Sequence, residues 1–267
     1  MNQSGPVYRC ALITGASSGL GLEYARQLAP FSQKLILVSR RKEVLEEVAR
    51  GLISDHPQLE VDLFASDLST ASDRDRLIDS LAARNVQPDL LLNNAGMGDY
   101  GEFRSADWTK LSEMIRLNVE ALTHLSHALL PGLISQKGAL LNVSSLASIL
   151  PIPDLAVYAA TKAYVTNFSE ALRQEVKEFG VRVLAVCPGP VRTGFGERAR
   201  RSAGSKLPVQ DAFYVAPEQV VRDSLKVLRL GQARIYPGFK VALAAAGIGL
   251  LPVAAVRFLM SFRPRRS

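Results

Sequence analysis

The sequence predicts a doubly wound α/β fold, in which helices cover both faces of a parallel sheet. Apolar, β-rich runs alternate with segments of helical periodicity, and a glycine-rich turn directly follows the first run. Near-continuous apolar strands indicate a sheet that is buried on both faces. Because ligands of such folds bind at the carboxyl ends of the strands, the residues that follow each strand are the candidates for function.

Six strands are predicted, with helices between them. The strands are residues 8–14, 34–39, 60–65, 89–93, 139–143 and 181–187. The helices are residues 20–29, 43–54, 71–84, 108–134 and 157–179. No repeat, low-complexity tract or linker-like stretch interrupts this pattern. The 267 residues are therefore predicted to form one domain.

Two segments depart from the alternation. Residues 192–217 are rich in Gly, Ser, Arg and Pro, and this long connection favours a substrate lid over a disordered patch. Residues 239–263 are predicted as an apolar helical tail, since 241–256 carry no charge and a basic end follows. The uncharged stretch is shorter than the ~20 residues that span a bilayer. Three placements remain open: packing on the domain or a partner subunit, lying on an anionic membrane surface, or spanning the membrane.

The distribution of charge and the number of cysteines indicate which partners and which cellular compartment the chain is suited to. The net charge is +7, but the basic excess lies in segments 192–206 and 236–267 rather than in a stripe interleaved with aromatic residues. This distribution argues against nucleic acid as a partner. Cys10 and Cys187 lie in apolar runs and are predicted to be buried thiols of a reducing compartment. The first six residues do not resemble a signal peptide. A cytoplasmic location is expected, with membrane association as the open alternative.

The glycine-rich turn after the first strand predicts a dinucleotide site. Gly15 permits the tight turn, Gly19 lets the backbone approach a pyrophosphate, and Gly21 lets the helix pack closely on the strand. The helix that begins there presents free N–H groups and a partial positive charge to phosphates. The other turn residues assigned to the cofactor are Ser17, Ser18 and Leu20.

The end of the second strand indicates which dinucleotide binds. An NAD site usually has an acid there for the ribose hydroxyls, whereas this chain has Ser39 followed by Arg40, Arg41 and Lys42. Arg40 is the better candidate for a 2′-phosphate because it directly follows the strand, and Ser39 adds a hydroxyl. A solvated basic start to the next helix is the alternative. NADP(H) is therefore the predicted cofactor.

Six short motifs follow the strand ends in a fixed order. They are the turn 14–21, Asn93-Asn94-Ala95-Gly96, Asn118 within Arg-Leu-Asn-Val, Ser144-Ser145, Tyr158-Ala-Ala-Thr-Lys162, and Pro188-Gly189-Pro190-Val191-Arg192-Thr193. With these motifs the chain resembles the main branch of the short-chain dehydrogenase/reductase family over nearly its whole length. The resemblance implies a Rossmann-like sheet of seven parallel strands, with residues 233–236 as the seventh. It also implies an oxidoreductase that interconverts a carbonyl and an alcohol.

The resemblance assigns roles to the matching positions. It implies that Tyr158 is the general acid/base and that Ser145, thirteen positions earlier, binds the substrate oxygen, while Ser144 is structural. It implies that Lys162 holds the nicotinamide ribose and that Asn118 distorts its helix to hold a water linking Lys162 to solvent. The remaining cofactor positions are Asp67 and Leu68 at the adenine, Asn94, Ala95 and Gly96 near the adenosine ribose, Pro188, Gly189 and Val191, and Thr193 at the carboxamide.

Neighbouring positive charge is expected to activate Tyr158. Tyr158 and Lys162 are four residues apart, so a helix places them on one face. A free phenol titrates near ~10, too high for an efficient base at neutral pH. The Lys162 ammonium and the oxidised nicotinamide ring are expected to lower that pKa. No metal site is predicted, because His124 and His127 lack further ligands.

The predicted substrate pocket is largely apolar and favours a hydrophobic ketone, aldehyde or alcohol. Its walls are residues 97–100, 146–155, 190–195 and the loop through Tyr214. Its apolar members are Leu146, Ile149, Leu150, Pro151, Ile152, Leu155, Phe195 and Phe213. Arg198, Arg200 and Arg201 are interpreted as a solvated loop, with an anionic carrier such as acyl-CoA as the alternative.

Two expectations concern assembly and activity. The long helices 108–134 and 157–179 commonly form a dimer face in the family that the chain resembles, so a homodimer or homotetramer is expected. A non-catalytic NADP(H)-binding regulator or scaffold is the alternative function. The presence of Asn118, Ser145, Tyr158 and Lys162 together argues against that alternative.

Overall fold

A parallel seven-stranded sheet forms the centre of the protein. The structure is a computed structural model that describes residues 8–201, 213–252, 254–256 and 258. The strands are β1 Tyr8–Thr14, β2 Ser32–Ser39, β3 Glu60–Ala65, β4 Leu90–Asn93, β5 Ala139–Val143, β6 Arg182–Val186 and β7 Arg234–Ile235. Their order is β3-β2-β1-β4-β5-β6-β7, and every pair is parallel. The predicted Rossmann-like fold and its seventh strand are confirmed.

Helices connect the strands and cover both faces of the sheet. Within the described residues they are α1 Gly19–Leu28, α2 Lys42–Asp55, α3 Ala71–Ala83, α4 Trp108–Ile115, α5 Leu122–Ser135, α6 Ala156–Val176, α7 Phe195–Ala199, α8 Pro217–Arg229 and α9 Phe239–Leu250. A π-helical turn, Arg116–Ala121, joins α4 to α5. Short 3₁₀ turns occupy Ala29–Phe31, Phe103–Ser105, Leu146–Ile149 and Lys177–Phe179.

Strands β1 to β6 each contribute to two apolar cores, one on either face of the sheet. In β1, Ala11 and Ile13 belong to the core under α1, α2 and α8, whereas Cys10 and Leu12 belong to the core under α3, α5 and α6. This alternation is what a strand buried on both sides requires. Cys10 and Cys187 are both buried free thiols, as predicted.

Three features differ from the sequence-based expectations. The predicted helix 108–134 contains the π-helical turn, and α7 lies inside the predicted lid. Helix α8 was not predicted, although Pro217 at its start and apolar residues at helical spacing are typical of an amphipathic helix. Lid residues 202–212 and tail residues 253, 257 and 259–263 lie outside the described residues.

Helix α9 corresponds to the first half of the predicted tail. Val241 and Ala245 are its buried residues, and residues 254–256 are again helical. Within the described part of the chain, no helix combines the length and the apolar character that crossing a membrane requires.

The first strand, the glycine turn and the turn after β4 are packed so closely that only glycine fits at position 21. A Cβ atom on Gly21 would lie 2.2 Å from the carbonyl oxygen of Gly15 and 2.5 Å from Nδ2 of Asn94. Gly15 also has a positive φ of 68°, which strains any residue with a Cβ. The start of α1 is thereby held against the ends of β1 and β4.

We expect Gly21→Ala to destabilise the protein by about 1–3 kcal/mol, because the methyl group forces backbone segments apart. Gly51→Ala is the matched control: Gly51 lies in α2 with no atom within 4 Å of an added Cβ, and the change should stabilise by about 0.5–1 kcal/mol. Urea denaturation measures both. A Gly21→Ala protein as stable as the wild type would contradict this packing.

Candidate active site

One large cavity lies at the carboxyl ends of the central strands. Its volume is about 970 Å³, the size of a site for a dinucleotide-scale ligand. Residues that follow β1 to β6 line it, at the switch in strand order between β1 and β4. The structure brings all of the predicted site residues to this wall except Gly21, which packs behind it, and Asn118, which is buried beside it.

The glycine turn forms one end of the cavity and is tied to the turn after β4. The hydroxyl oxygen of Thr14 accepts hydrogen bonds from the backbone N–H groups of Asn94 and Ala95, each at 2.9 Å. Nδ2 of Asn94 donates to the carbonyl of Thr14 at 2.8 Å. Ser18 does not cap α1 with its side chain, so the first N–H groups of this helix remain available to an anion.

Two arginines, not one, stand beside this turn. Nη1 of Arg40 donates to Oε1 of Glu113 at 3.0 Å and lies 3.9 Å from Oδ2 of Asp67. Nη2 of Arg41 donates to the hydroxyl of Ser17 at 3.1 Å. The sequence favours Arg40 because it directly follows the strand. The sequence does not show that the side chain of Arg41 also turns toward the glycine turn.

Tyr158 and Ser145 meet at the other end of the cavity. Tyr158 lies in the first turn of α6, and Ser145 lies just after β5. Burial raises the pKa of Tyr158 to about 12, and its hydrogen bond with Ser145 opposes this only in part. The Tyr158 ring also packs on Phe195 of α7, with 5.8 Å between the ring centroids.

Lys162 is buried one turn further along α6. Its ammonium donates to the carbonyl oxygen of Val143 at 2.8 Å and lies 5.9 Å from the centre of the Tyr158 ring. Burial lowers the pKa of Lys162 to about 8. Among the chain's own groups, burial and the hydrogen bond with Ser145 therefore set the pKa of Tyr158, and the expected lowering by Lys162 together with an oxidised nicotinamide stays a prediction.

Asn118 lies in the π-helical turn and clamps the neighbouring loop. Its Oδ1 accepts from the N–H of Met97 at 3.0 Å, and its Nδ2 donates to the Met97 carbonyl at 2.9 Å and to the Thr161 hydroxyl at 3.1 Å. A Cβ on Gly96 would lie 3.1 Å from Oδ1 of Asn118 and 3.4 Å from Nζ of Lys162. The turn after β4 is therefore packed directly against the buried ammonium.

Ser144 has a different environment from Ser145. Its hydroxyl donates to the carbonyl of Lys162 at 2.8 Å and bonds the hydroxyl of Thr166 at 2.7 Å. Its side chain is buried. These contacts attach β5 to α6.

The part of the cavity next to Tyr158 is mainly apolar. Its apolar side chains are Leu146, Leu150, Ile152, Leu155, Phe195 and Tyr214. Ile149, Pro151 and Phe213, which were expected here, do not line it; Phe213 packs on the core instead. Arg192, Arg198 and Arg200 also line the wall. Across the described residues, no group of three His, Cys, Asp or Glu side chains is arranged to hold a metal ion.

Comparison with known proteins identifies the family to which the chain belongs. The family model for short chain dehydrogenases matches residues 9–204. The chain is 34% identical over 224 residues to the very-long-chain 3-oxoacyl-CoA reductase of Bos taurus, which covers 82% of this chain and 68% of that protein. It is also 34% identical over 188 residues to the inactive hydroxysteroid dehydrogenase-like protein 1 of Homo sapiens, 69% of this chain and 56% of that protein.

A solved structure shows the same relationship. The short-chain dehydrogenase from Sphingobium yanoikuyae in complex with NADPH superimposes with a TM-score of 0.80 at 30% identity, over 97% of this chain and 98% of that one. The sheet order, the motifs at the strand ends and these matches agree. The chain belongs to the short-chain dehydrogenase/reductase family of oxidoreductases, which use nicotinamide cofactors.

Proposed function

We propose that the chain is an NADP(H)-dependent reductase of hydrophobic ketones or aldehydes, with Tyr158 as the proton donor. The observation that carries the proposal is the meeting of Tyr158, Ser145 and Lys162 in one cavity whose opposite end holds the glycine turn and two arginines. The NADPH complex of the Sphingobium yanoikuyae relative supports the choice of cofactor.

The residues present fit a dinucleotide. Gly15 and Gly19 give the turn its shape with positive φ values of 68° and 58°, and the open start of α1 favours a pyrophosphate. The adenosine end would rest on Asp67, Leu68 and the turn Asn94–Gly96, and the nicotinamide end on Lys162, Gly189 and Thr193. Further cofactor contacts would come from Ser18, Leu20, Pro188 and Val191.

The 2′-phosphate would lie between Ser17, Ser39, Arg40 and Arg41. Guanidinium groups match phosphate oxygens in geometry and charge. Both arginines are exposed, and their contacts with Glu113 and Ser17 lie at the surface. Such surface contacts contribute little to stability, so a phosphate can replace them. A carboxylate for ribose hydroxyls does not follow β2 here.

Tyr158 is suited to donate a proton at neutral pH. A phenol with a pKa of about 12 is fully protonated there, and its proton can pass to the oxygen of a carbonyl as negative charge develops. A bound NADPH supplies the hydride for such a reduction. The Ser145 hydroxyl holds the same oxygen, and the Lys162 ammonium stabilises the phenolate that remains. We propose that Asn118 completes the route by which solvent returns the proton through Lys162.

The substrate class follows from the apolar wall next to Tyr158. An aliphatic or ring-shaped carbonyl compound would bury its hydrocarbon part there. The Bos taurus relative acts, by its name, on very-long-chain 3-oxoacyl-CoA, which is also a ketone on a long apolar chain. A second candidate is a non-catalytic NADP(H)-binding protein, since one relative is described as inactive.

We also propose that residues 192–217 form a substrate lid, anchored at Arg201. Nε of Arg201 donates to both carboxylate oxygens of Asp99, at 3.0 and 2.9 Å, and Nζ of Lys110 lies 2.9 Å from the same carboxylate. The side chain of Asp99 is only 2% exposed. Arg201 is thus engaged in an ion pair, which leaves Arg198 and Arg200 as the lid arginines for an anionic carrier.

We expect Tyr158→Phe to lower kcat for ketone reduction by roughly 10²–10⁴-fold, because the proton donor is lost. NADPH affinity should stay within about twofold, since the phenyl ring still fills its place. Tyr164→Phe, on the same helix, is the matched control; its hydroxyl bonds only the partly exposed Thr123 in the described hydrogen bonds. NADPH oxidation with a panel of hydrophobic carbonyls measures all three proteins.

Two outcomes would contradict this proposal. Full activity of Tyr158→Phe would remove Tyr158 from the chemistry. Tight NADPH binding by the wild type, with no turnover of any hydrophobic carbonyl, would favour the non-catalytic regulator.

We expect the double variant Arg40→Ala/Arg41→Ala to bind NADPH at least about 100-fold more weakly, since two lost charged hydrogen bonds of roughly 1.5–3 kcal/mol each cost about 3–6 kcal/mol together. NADH binding should change by less than about threefold, because NADH lacks the phosphate. Lys42→Ala removes a positive charge next to the site, from a lysine that pairs with Glu46, and serves as the control. Fluorescence titration measures both cofactors. An equal loss for NADPH and NADH would overturn the assignment.

We expect Asp99→Asn to destabilise the protein by about 3 kcal/mol, because it leaves Arg201 and Lys110 without their buried partner. Although burial raises the pKa of Asp99, hydrogen bonds from Arg201 and Lys110 lower it overall. The pair therefore stabilises the fold above about pH 4 and is lost as the pH falls further.

The control is Glu46→Gln, which breaks the exposed pair with Lys42 and should change stability by less than about 0.5 kcal/mol. Urea denaturation and the KM for a ketone are the readouts. If Asp99→Asn has the same urea midpoint and the same KM as the wild type, the ion pair of Asp99 with Arg201 does not anchor the lid.

A further inference from the structure

The outer face of α9 carries an unusual amount of exposed apolar surface. Of the twelve large apolar side chains that are exposed among the described residues, five lie between 239 and 258. They are Phe239, Leu243, Leu250, Leu251 and Phe258, with exposed fractions of 81%, 63%, 86%, 41% and 63%. Isolated exposed apolar residues are normal in proteins, but a concentration of them marks an interaction surface.

The exposed residues of α9 lie on one side of the helix. Phe239, Leu243 and Leu250 are four and eleven positions apart, which is one stripe at 3.6 residues per turn. Val241 and Ala245, on the opposite side, are buried. Val241 packs on Gly189, where a Cβ would lie 2.8 Å from its Cγ2 atom. One side of α9 is thus attached to the protein, and the other side is apolar and exposed.

The part of the sequence that contains this stripe carries charge of a single sign. Residues 224–267 contain eight Lys or Arg residues and no Asp or Glu. Lys240 at the start of α9 is exposed. Arg257, Arg263, Arg265 and Arg266 follow α9 in the sequence. The apolar stripe therefore lies in a purely basic region of the chain.

The apolar stripe and its basic surroundings in the sequence distinguish between two possible partners for this face, a second copy of the chain and an anionic lipid surface. A two-fold symmetric contact between copies of the chain places a surface patch against itself, so a second copy would bring basic residues together with no acid among residues 224–267 to pair with them. An anionic lipid surface meets the basic residues with opposite charge and accepts the apolar side chains below its head groups. Charge complementarity therefore favours the lipid surface.

The dimensions of α9 agree with this occupant. Twelve residues make a helix about 18 Å long, shorter than the ~30 Å hydrocarbon core of a bilayer, so α9 would lie on a membrane surface and would not cross it. Its buried side contacts Gly189 and the turn Leu146–Ile149, and both contribute to the cavity wall. The apolar half of the cavity would then lie within about one helix diameter, ~10 Å, of the lipid.

We propose that the outer face of α9, together with the basic residues around it, docks on an anionic membrane surface. The docking does not depend on catalysis, because it uses only the outer side of α9. It adds a partner to the proposed reductase: a bilayer, in which hydrophobic carbonyl compounds also dissolve.

The test is co-sedimentation of the full chain with large vesicles of phosphatidylcholine alone or of phosphatidylcholine and phosphatidylglycerol in equal amounts. We expect binding to the anionic vesicles, weaker binding at high salt, and little binding to phosphatidylcholine. Phe239→Glu/Leu250→Glu should weaken binding by tenfold or more. The matched control, Ile53→Glu/Phe179→Glu, makes the same charge change at exposed apolar residues on other elements and should bind at least threefold more tightly than the α9 variant.

Thermal unfolding and NADPH binding of both variants show that the fold is intact. Absence of wild-type binding to anionic vesicles would overturn the proposal, as would equal weakening in both variants, which would indicate attraction by net charge alone. If sedimentation velocity shows that the α9 variant dissociates a wild-type oligomer that does not bind vesicles, the face is a contact between copies of the chain. Loss of reductase activity alone bears on the proposed function and not on the docking.

Discussion

The placement of Tyr158 and Lys162 on one side of α6, the first half-buried and the second buried, is the constraint on which the rest of the site depends. Burial favours the uncharged form of each group: it raises the pKa of the phenol to about 12 and lowers that of the amine to about 8. The phenol is therefore a proton donor at rest. With a pKa of about 8, the amine is still mostly charged at neutral pH, and it donates a hydrogen bond to the carbonyl of Val143. We propose that the phenol loses its proton in the reverse, oxidising direction only with further positive charge beside it, which an oxidised nicotinamide would supply when bound.

The surrounding structure fixes the positions of Tyr158 and Lys162 relative to the glycine turn. Thr14 and Asn94 attach the first turn to the turn after β4, and Asn118 attaches that second turn to α6 through Thr161. An added Cβ would lie within 3.0 Å of main-chain atoms at Gly15 and Gly21, and 3.1 Å from Oδ1 of Asn118 at Gly96, so this path has little room for further side chains. The two ends of the cavity are thus joined by a short series of packed main-chain segments, so their separation is set by the fold and not by flexible side chains.

Local patterns in the sequence predicted six strands of the parallel sheet and the glycine turn, and the family resemblance supplied the seventh strand and most of the cavity wall. Apolar runs mark strands buried on both faces, and motifs at strand ends must meet at one edge of a parallel sheet. Features that depend on distant residues were not predictable in this way. Asp99 and Arg201 are 102 positions apart, and neither has a local pattern. The orientation of Arg41 and the dominance of burial at Tyr158 depend on side-chain packing, which periodicity does not encode.

The most direct measurement is the titration of Tyr158 itself. In protein labelled with ¹³C at the tyrosine Cζ atoms, comparison with Tyr158→Phe assigns its resonance. We expect no titration up to about pH 10 in the protein alone, in keeping with a pKa of about 12, and a pKa lower by roughly 1–3 units once NADP⁺ is bound. A phenol that titrates near its ordinary ~10 in the protein alone, or one that NADP⁺ leaves unchanged, would contradict the role assigned to Tyr158.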